Sequence, residues 1–307
     1  MAVAQARPAS AERFILTERQ FSRIADVALF TLTLIIFTGA AVRLTGSGLG
    51  CPNWPRCDGG FLPPLQTHTM IEYGNRLVTG VVGLPALAAA IGAYRLRPLR
   101  PEFKRPALLL PLGVFAQALL GGVTVLLELS WQVVIGHYLL SILLLIAGAT
   151  LVWRARRPAG APSPLHARPT VLGTRALAVY GGIVLVAGSF ATAAGPHAGG
   201  AGTGDYVERL SGVSLETLIK LHGHAAAAMG VAAVALWVYA RVKGVTTTLM
   251  RALTAVAVLI AAQGILGLIQ YHNALPATIV WAHVSLAAVL WLALVFSWLA
   301  AGKAAVR

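Results

Sequence analysis

Apolar residues run along the chain in eight long stretches, roughly 22–42, 69–94, 106–128, 132–153, 174–194, 216–240, 250–271 and 277–301. A helix crosses the hydrocarbon core of a bilayer with about 20 such residues, and each stretch reaches that length. None carries the broad polar face that a helix of a soluble bundle turns to water. The pattern predicts an all-α integral membrane protein of eight transmembrane helices. Composition agrees, since the 307 residues are 57% apolar and only 11% charged.

Charge then orients the chain. A net charge of +14 invites a nucleic-acid reading, but its distribution points elsewhere. With the amino terminus in the cytoplasm, 19 of the 24 Lys and Arg fall at cytoplasmic segments, and only Arg43, Arg56, Arg76, Arg209 and Lys220 lie towards the outside. This is the positive-inside asymmetry, which is expected to set both termini of a plasma-membrane protein in the cytoplasm. The partner it implies is the lipid bilayer, with no nucleic acid. Residues 1–20 are polar and basic, and the first apolar run has spanning length without a small-residue cleavage site behind it, so it is expected to be a permanent helix.

Helices one to four and five to eight read as two copies of one four-helix unit. QALLGGVTV at 117–125 matches QGILGLIQY at 263–271, and each is followed by a short loop and a helix with one His, VIGHYLLS and VWAHVSLA. Gln117/Gln263 and His137/His283 share an offset of 146 residues, as expected of a duplication. The expected organisation is an amino-terminal tail over 1–21, a first bundle over 22–155, a basic Pro-rich linker over 156–173, a second bundle over 174–301 and a short tail over 302–307.

Polar residues inside these spans mark candidate chemistry, because ionisable groups in a membrane are costly and usually functional. His137 lies six residues past Trp131 and His283 seven past Pro276, each about 9–10 Å along its helix at ~1.5 Å per residue. His222 and Asn75 fall at similar depth on the sixth and second helices. Four positions at one level, two in each half, suggest two sites near the outer face. Imidazoles on facing helices suit the axial positions of an iron porphyrin. The competing reading of each His is a hydrogen bond to a neighbouring helix; a clustered Cys/His zinc site is absent from the pattern. Glu72, Asn75 and Arg76 share one helix surface, either as a self-satisfied ion pair or as a carboxylate aimed at a reacting group with Arg76 meeting a propionate. The two cysteines, Cys51 and Cys57, stand in one outer Pro-rich loop. A disulfide is the default there, and a redox role is the alternative.

AAVRLTGSGLGCPNWPRC, IEYGNRLVTG, the His of VIGHY and the His of WAHVS together resemble the haem A synthases, over about residues 22–301. The resemblance implies oxidation of a methyl group of haem O to the formyl group of haem A, the cofactor of haem–copper oxidases. Two successive hydroxylations would give a gem-diol that loses water. It implies a first half that receives haem O, delivered by a haem O synthase, and a second half that holds haem b (protohaem) and its iron. Carried onto this chain, the axial ligands are His283 with His222, and His224 as the alternative partner; His137 is the first-half ligand. Glu72 is the catalytic carboxylate, Asn75 and Arg76 are its neighbours at the haem site, and Cys51 and Cys57 form the loop disulfide. The family pattern Glu-x-x-His-Arg reads Glu72-Tyr73-Gly74-Asn75-Arg76 here, so one iron face near Asn75 is expected to lack a His. His197 is expected to be an ordinary loop residue or to approach a haem edge; His68, His166 and His272 are expected to be ordinary. The electron acceptor and the oligomeric state, a homo-oligomer included, are left open. Other functions considered are a di-haem b-type electron carrier oxidising quinol and a small-solute transporter. The carrier gives no role to Glu72 or the Cys loop, and the transporter leaves the His levels idle.

Overall fold

The computed structural model describes residues 15–57, 59–60, 62–200 and 207–305. Most of the expected amino-terminal tail (1–14), Asp58, Phe61, residues 201–206 and the last two residues lie outside the described residues. Among the described residues eight helices form: α1 (Glu18–Leu44), α2 (Thr67–Arg95), α3 (Pro101–Leu126), α4 (Trp131–Ala155), α5 (Arg168–Ala194), α6 (Leu215–Val242), α7 (Thr247–His272) and α8 (Ala277–Ala301). All eight are long and apolar enough to cross a membrane, and the chain is a multi-pass membrane protein. Large side chains such as Phe30, Leu84, Phe115, Val231 and Leu268 stand on the outer surface, where lipid rather than water is the matching solvent.

Local sequence sets the helix ends. Thr17 and Gln20 cap α1 reciprocally, satisfying donors that a helix start leaves orphaned. Ser214 and Thr246 accept from the first turns of α6 and α7, and Pro101 opens α3, where its missing N–H costs nothing. The segment expected to be linker over 156–173 is shorter, because α5 already begins at Arg168, followed at once by Pro169, a favourable first-turn residue.

Helices α1 to α4 pack in a ring, each on the next and α4 back on α1; α5 to α8 do the same, and α8 lies against both α1 and α4. The α3–α4 and α7–α8 turns have the same shape. Each places two successive non-glycine residues in the left-handed region, Glu128 and Leu129 in one and Ala274 and Leu275 in the other. The Leu129 N–H donates to Thr124 and the Leu275 N–H to Gln270, both at 2.8 Å. Such residues are uncommon, so their recurrence is a conspicuous likeness between the two turns.

Side chains cross between the two rings. Trp281 donates to the Phe37 carbonyl at 2.9 Å and Trp291 to Ile142 at 3.0 Å. Arg43 reaches from α1 to the carbonyls of His197 at 2.9 Å and Thr192 at 3.3 Å. His197 in turn meets the Leu275 carbonyl through Nε2 at 2.7 Å, so it ties the α5–α6 loop to the α7–α8 turn.

At the end where α1 begins and α8 ends, a two-stranded parallel pairing of β1 (Leu165–His166) with β2 (Lys303–Ala304) ties the segment before α5 to the segment after α8. His166 is buried there, with Nδ1 on the Ala301 carbonyl at 3.0 Å and Nε2 near the Thr246 hydroxyl at 3.2 Å. His68 meets the Ser47 hydroxyl at 2.9 Å, and His272 packs edge-on to Tyr271.

Candidate functional site

The second ring brings two imidazoles together. His222 of α6 and His283 of α8 have ring centres 6.3 Å apart, with planes 78° to each other. Nδ1 of His222 is held at 3.1 Å from the Val184 carbonyl of α5, which leaves Nε2 for another partner. Nδ1 of His283 is buried with no hydrogen-bond partner. The carbonyl of His283 accepts from Gln263 Nε2 of α7 at 3.1 Å. His224, two residues beyond His222, is on the exposed surface of α6.

The first ring holds one imidazole of the same kind. His137 of α4 also has a buried Nδ1 without a partner, and its carbonyl accepts from Gln117 Nε2 of α3 at 3.0 Å. Among the described residues no other histidine ring packs against it. Asn75 on α2 is turned to α1, accepting from the Thr38 hydroxyl at 2.7 Å.

Each imidazole lies in a notch made by a glycine. A Cβ added at Gly121 would stand 3.3 Å from His137 Cε1, at Gly267 3.5 Å from His283 Cε1, and at Gly188 2.9 Å from His222 Cε1. Sequence reading did not single out these glycines, although Gly121 and Gly267 share the offset of 146 residues that relates the histidines. Gly188→Val is expected to push the His222 ring off Val184, since the ring cannot yield while its Nδ1 is bonded there. Loss of the His222 Nδ1 hydrogen bond, read from the imidazole nitrogen NMR shifts, measures this.

Over the first ring lies the disulfide loop. Cys51 and Cys57 are bonded, with Cα atoms 4.6 Å apart. Trp54 seats on α3 so closely that a Cβ on Gly122 would come within 2.4 Å of its ring. Glu72 and Arg76 hold this loop from below. One Glu72 oxygen accepts from the Cys51 N–H at 2.6 Å and the other from Arg76. Arg76 also donates to the carbonyls of Cys51 at 2.8 Å, Arg56 at 3.0 Å and Asn53 at 3.2 Å. Of the two readings, an ion pair or a carboxylate with Arg76 at a propionate, the structure forms the Glu72–Arg76 pair; the guanidinium is also engaged by loop carbonyls, and both carboxylate oxygens of the buried Glu72 are partnered. Closing so short a loop limits the entropy at stake, so the Cys51→Ser/Cys57→Ser variant should lose about 2 kcal/mol of stability, read as a lowered unfolding temperature in detergent.

Two imidazoles that share one metal ion at ~2 Å from each nitrogen have ring centres about 6 Å apart. His222 and His283 fit that spacing. Among the described residues no three His, Cys, Asp or Glu side chains group as a metal site, and a porphyrin, which brings four nitrogens of its own, needs only the axial pair. The orphaned Nδ1 atoms and the glycine notches fit the same use.

A model of the COX15-CtaA family, described as cytochrome oxidase assembly protein, matches residues 22–295. "Heme A synthase" of Exiguobacterium sibiricum is 30% identical over 178 residues, covering 56% of this chain and 59% of that protein. "Heme A synthase" of Bacillus pumilus is 32% identical over 139 residues, or 44% of this chain and 45% of the relative. That of Geobacillus kaustophilus is 35% identical over 104 residues, 34% and 33% of the two chains. Across these three alignments the chain spans between 33% and 59% of the length of its curated relatives.

Proposed function

The chain belongs to the COX15-CtaA family of cytochrome oxidase assembly proteins, and from that premise we propose that it is a haem A synthase, oxidising a methyl group of haem O to the formyl group of haem A. The observation that carries this reading is the His222–His283 pair, with ring centres 6.3 Å apart. We assign protohaem to that pair, with His222 rather than His224 as the partner of His283. Haem O, supplied by a haem O synthase, is assigned to the first ring beside His137. The equal offsets of Gln117/Gln263, His137/His283 and the two left-handed turns support descent of the two rings from one duplicated unit. The distribution of Lys and Arg supports cytoplasmic termini and an outward-facing disulfide loop.

Bound iron porphyrin supplies the electron-transfer and oxidising chemistry that an unactivated methyl group requires. The chain's own residues bind, orient and enclose. His137 fixes the substrate's depth in the first ring, and the glycine at 121 lets the imidazole sit close to α3. Asn75 leaves the α2 side without an imidazole. Glu72 is the carboxylate assigned to the reaction. Because its oxygens hold the Cys51 N–H and Arg76, its availability to a reacting group is governed by the position of the disulfide loop.

The test is the pigment bound to the full-length protein purified from a host that makes haem O. Protohaem together with haem O or haem A in one chain supports the reading. Protohaem alone would overturn it in favour of a di-haem electron carrier.

A further inference from the structure

We propose that Gln263 and Gln117 are the positioning residues for the imidazoles of His283 and His137, each accepting the Nδ1 proton through its side-chain oxygen when the ring gives Nε2 to iron. The inference rests on the haem reading above and deepens it. An imidazole that binds a metal through Nε2 carries its proton on Nδ1, and that N–H requires an acceptor to fix the ring. His222 has one, the Val184 carbonyl at 3.1 Å. His283 and His137 have none, and their Nδ1 atoms are buried.

The acceptors left over in the same places are the two glutamine oxygens. Gln263 Oε1 and Gln117 Oε1 are both buried and without a partner. Each belongs to an amide whose nitrogen already bonds the backbone carbonyl of the histidine concerned, at 3.1 Å for His283 and 3.0 Å for His137. Those carbonyls fix the amide orientation, because only the NH2 end can donate to them. The oxygen is thus held at the residue whose Nδ1 lacks a partner. A buried donor and a buried acceptor left unmade in one residue pair cost free energy, and both histidines show the same pair of orphans at the same sequence offset of 146 residues. Chance packing gives no reason for that repetition. In the first ring the amide nitrogen also meets the Ser141 hydroxyl.

A positioning role makes a prediction that a packing role does not. A stronger acceptor at Nδ1 makes the imidazole a better donor to ferric iron, and removal of the acceptor does the opposite. The test uses full-length protein carrying protohaem, with redox titration of the second-ring haem in Gln263→Glu and Gln263→Leu. Gln263→Glu should move the midpoint potential negative. Gln263→Leu should move it positive and loosen haem retention by roughly 10–100-fold. Unchanged potentials, or shifts of the same sign in both variants, overturn the proposal while the haem reading stands, because the parent protein still carries its protohaem. A parent protein that takes up no protohaem overturns both.

Discussion

His283→Ala should empty the second ring of protohaem, and His222→Ala should do the same. On the proposed assignment each imidazole would supply one of the two protein bonds to the iron, and among the described residues no other histidine ring packs against the pair. His224 cannot step in for His222, because it stands two residues away on the exposed surface of α6. Loss of a ligand should exceed the roughly 10–100-fold that losing a ligand's hydrogen-bonding neighbour costs. The low-spin absorbance of the purified protein is the readout. Folding should survive, since α8 keeps its apolar packing, with Leu294 against Gly181 and Trp291 against Gly182 of α5. His224→Ala is the control and should leave the spectrum unaltered. If His224→Ala lost the haem and His222→Ala kept it, the ligand assignment would be wrong.

On the proposed reading Glu72 would separate binding from turnover. Glu72→Gln keeps the shape of the side chain and an oxygen for the Cys51 N–H, so the disulfide loop should stay seated and the second-ring haem should be retained. What it removes is the charge and the proton acceptor. A positioned acid or base commonly contributes roughly 10²–10⁴-fold to rate, and a loss of haem A production in that range is the expected outcome. Glu72→Ala should cost stability as well, because it leaves Arg76 and the buried Cys51 N–H short of their partner. A Glu72→Gln variant with full production would reduce Glu72 to a brace for the loop.

The spans were legible because hydrophobic length is a one-dimensional property. The run read at 22–42 is the core of α1, and the run at 69–94 is α2 almost to the residue. Equal depth on helices entering at the same end grouped His222 and His283 in one half, and their ring centres are 6.3 Å apart. Other parts depend on how close two helices come, which periodicity does not encode. Gly188 is an unremarkable residue in an apolar run until the His222 ring is found against it. Arg43 reads as one more basic residue at a helix end, yet it stitches α1 to the loop after α5. Arg76 shows the limit most clearly. Its neighbours in sequence suggest an anion partner, and it has one in Glu72, but three of its contacts are loop carbonyls brought over by the chain reversal before α2.

The most direct measurement is haem A in the membranes of a host that makes haem O but no haem A of its own, with the intact chain supplied. The account predicts that haem A accumulates with the parent protein and fails to accumulate with Glu72→Gln, while both proteins keep the protohaem spectrum of the second ring. Unconverted haem O in membranes containing intact, protohaem-loaded parent protein would contradict it.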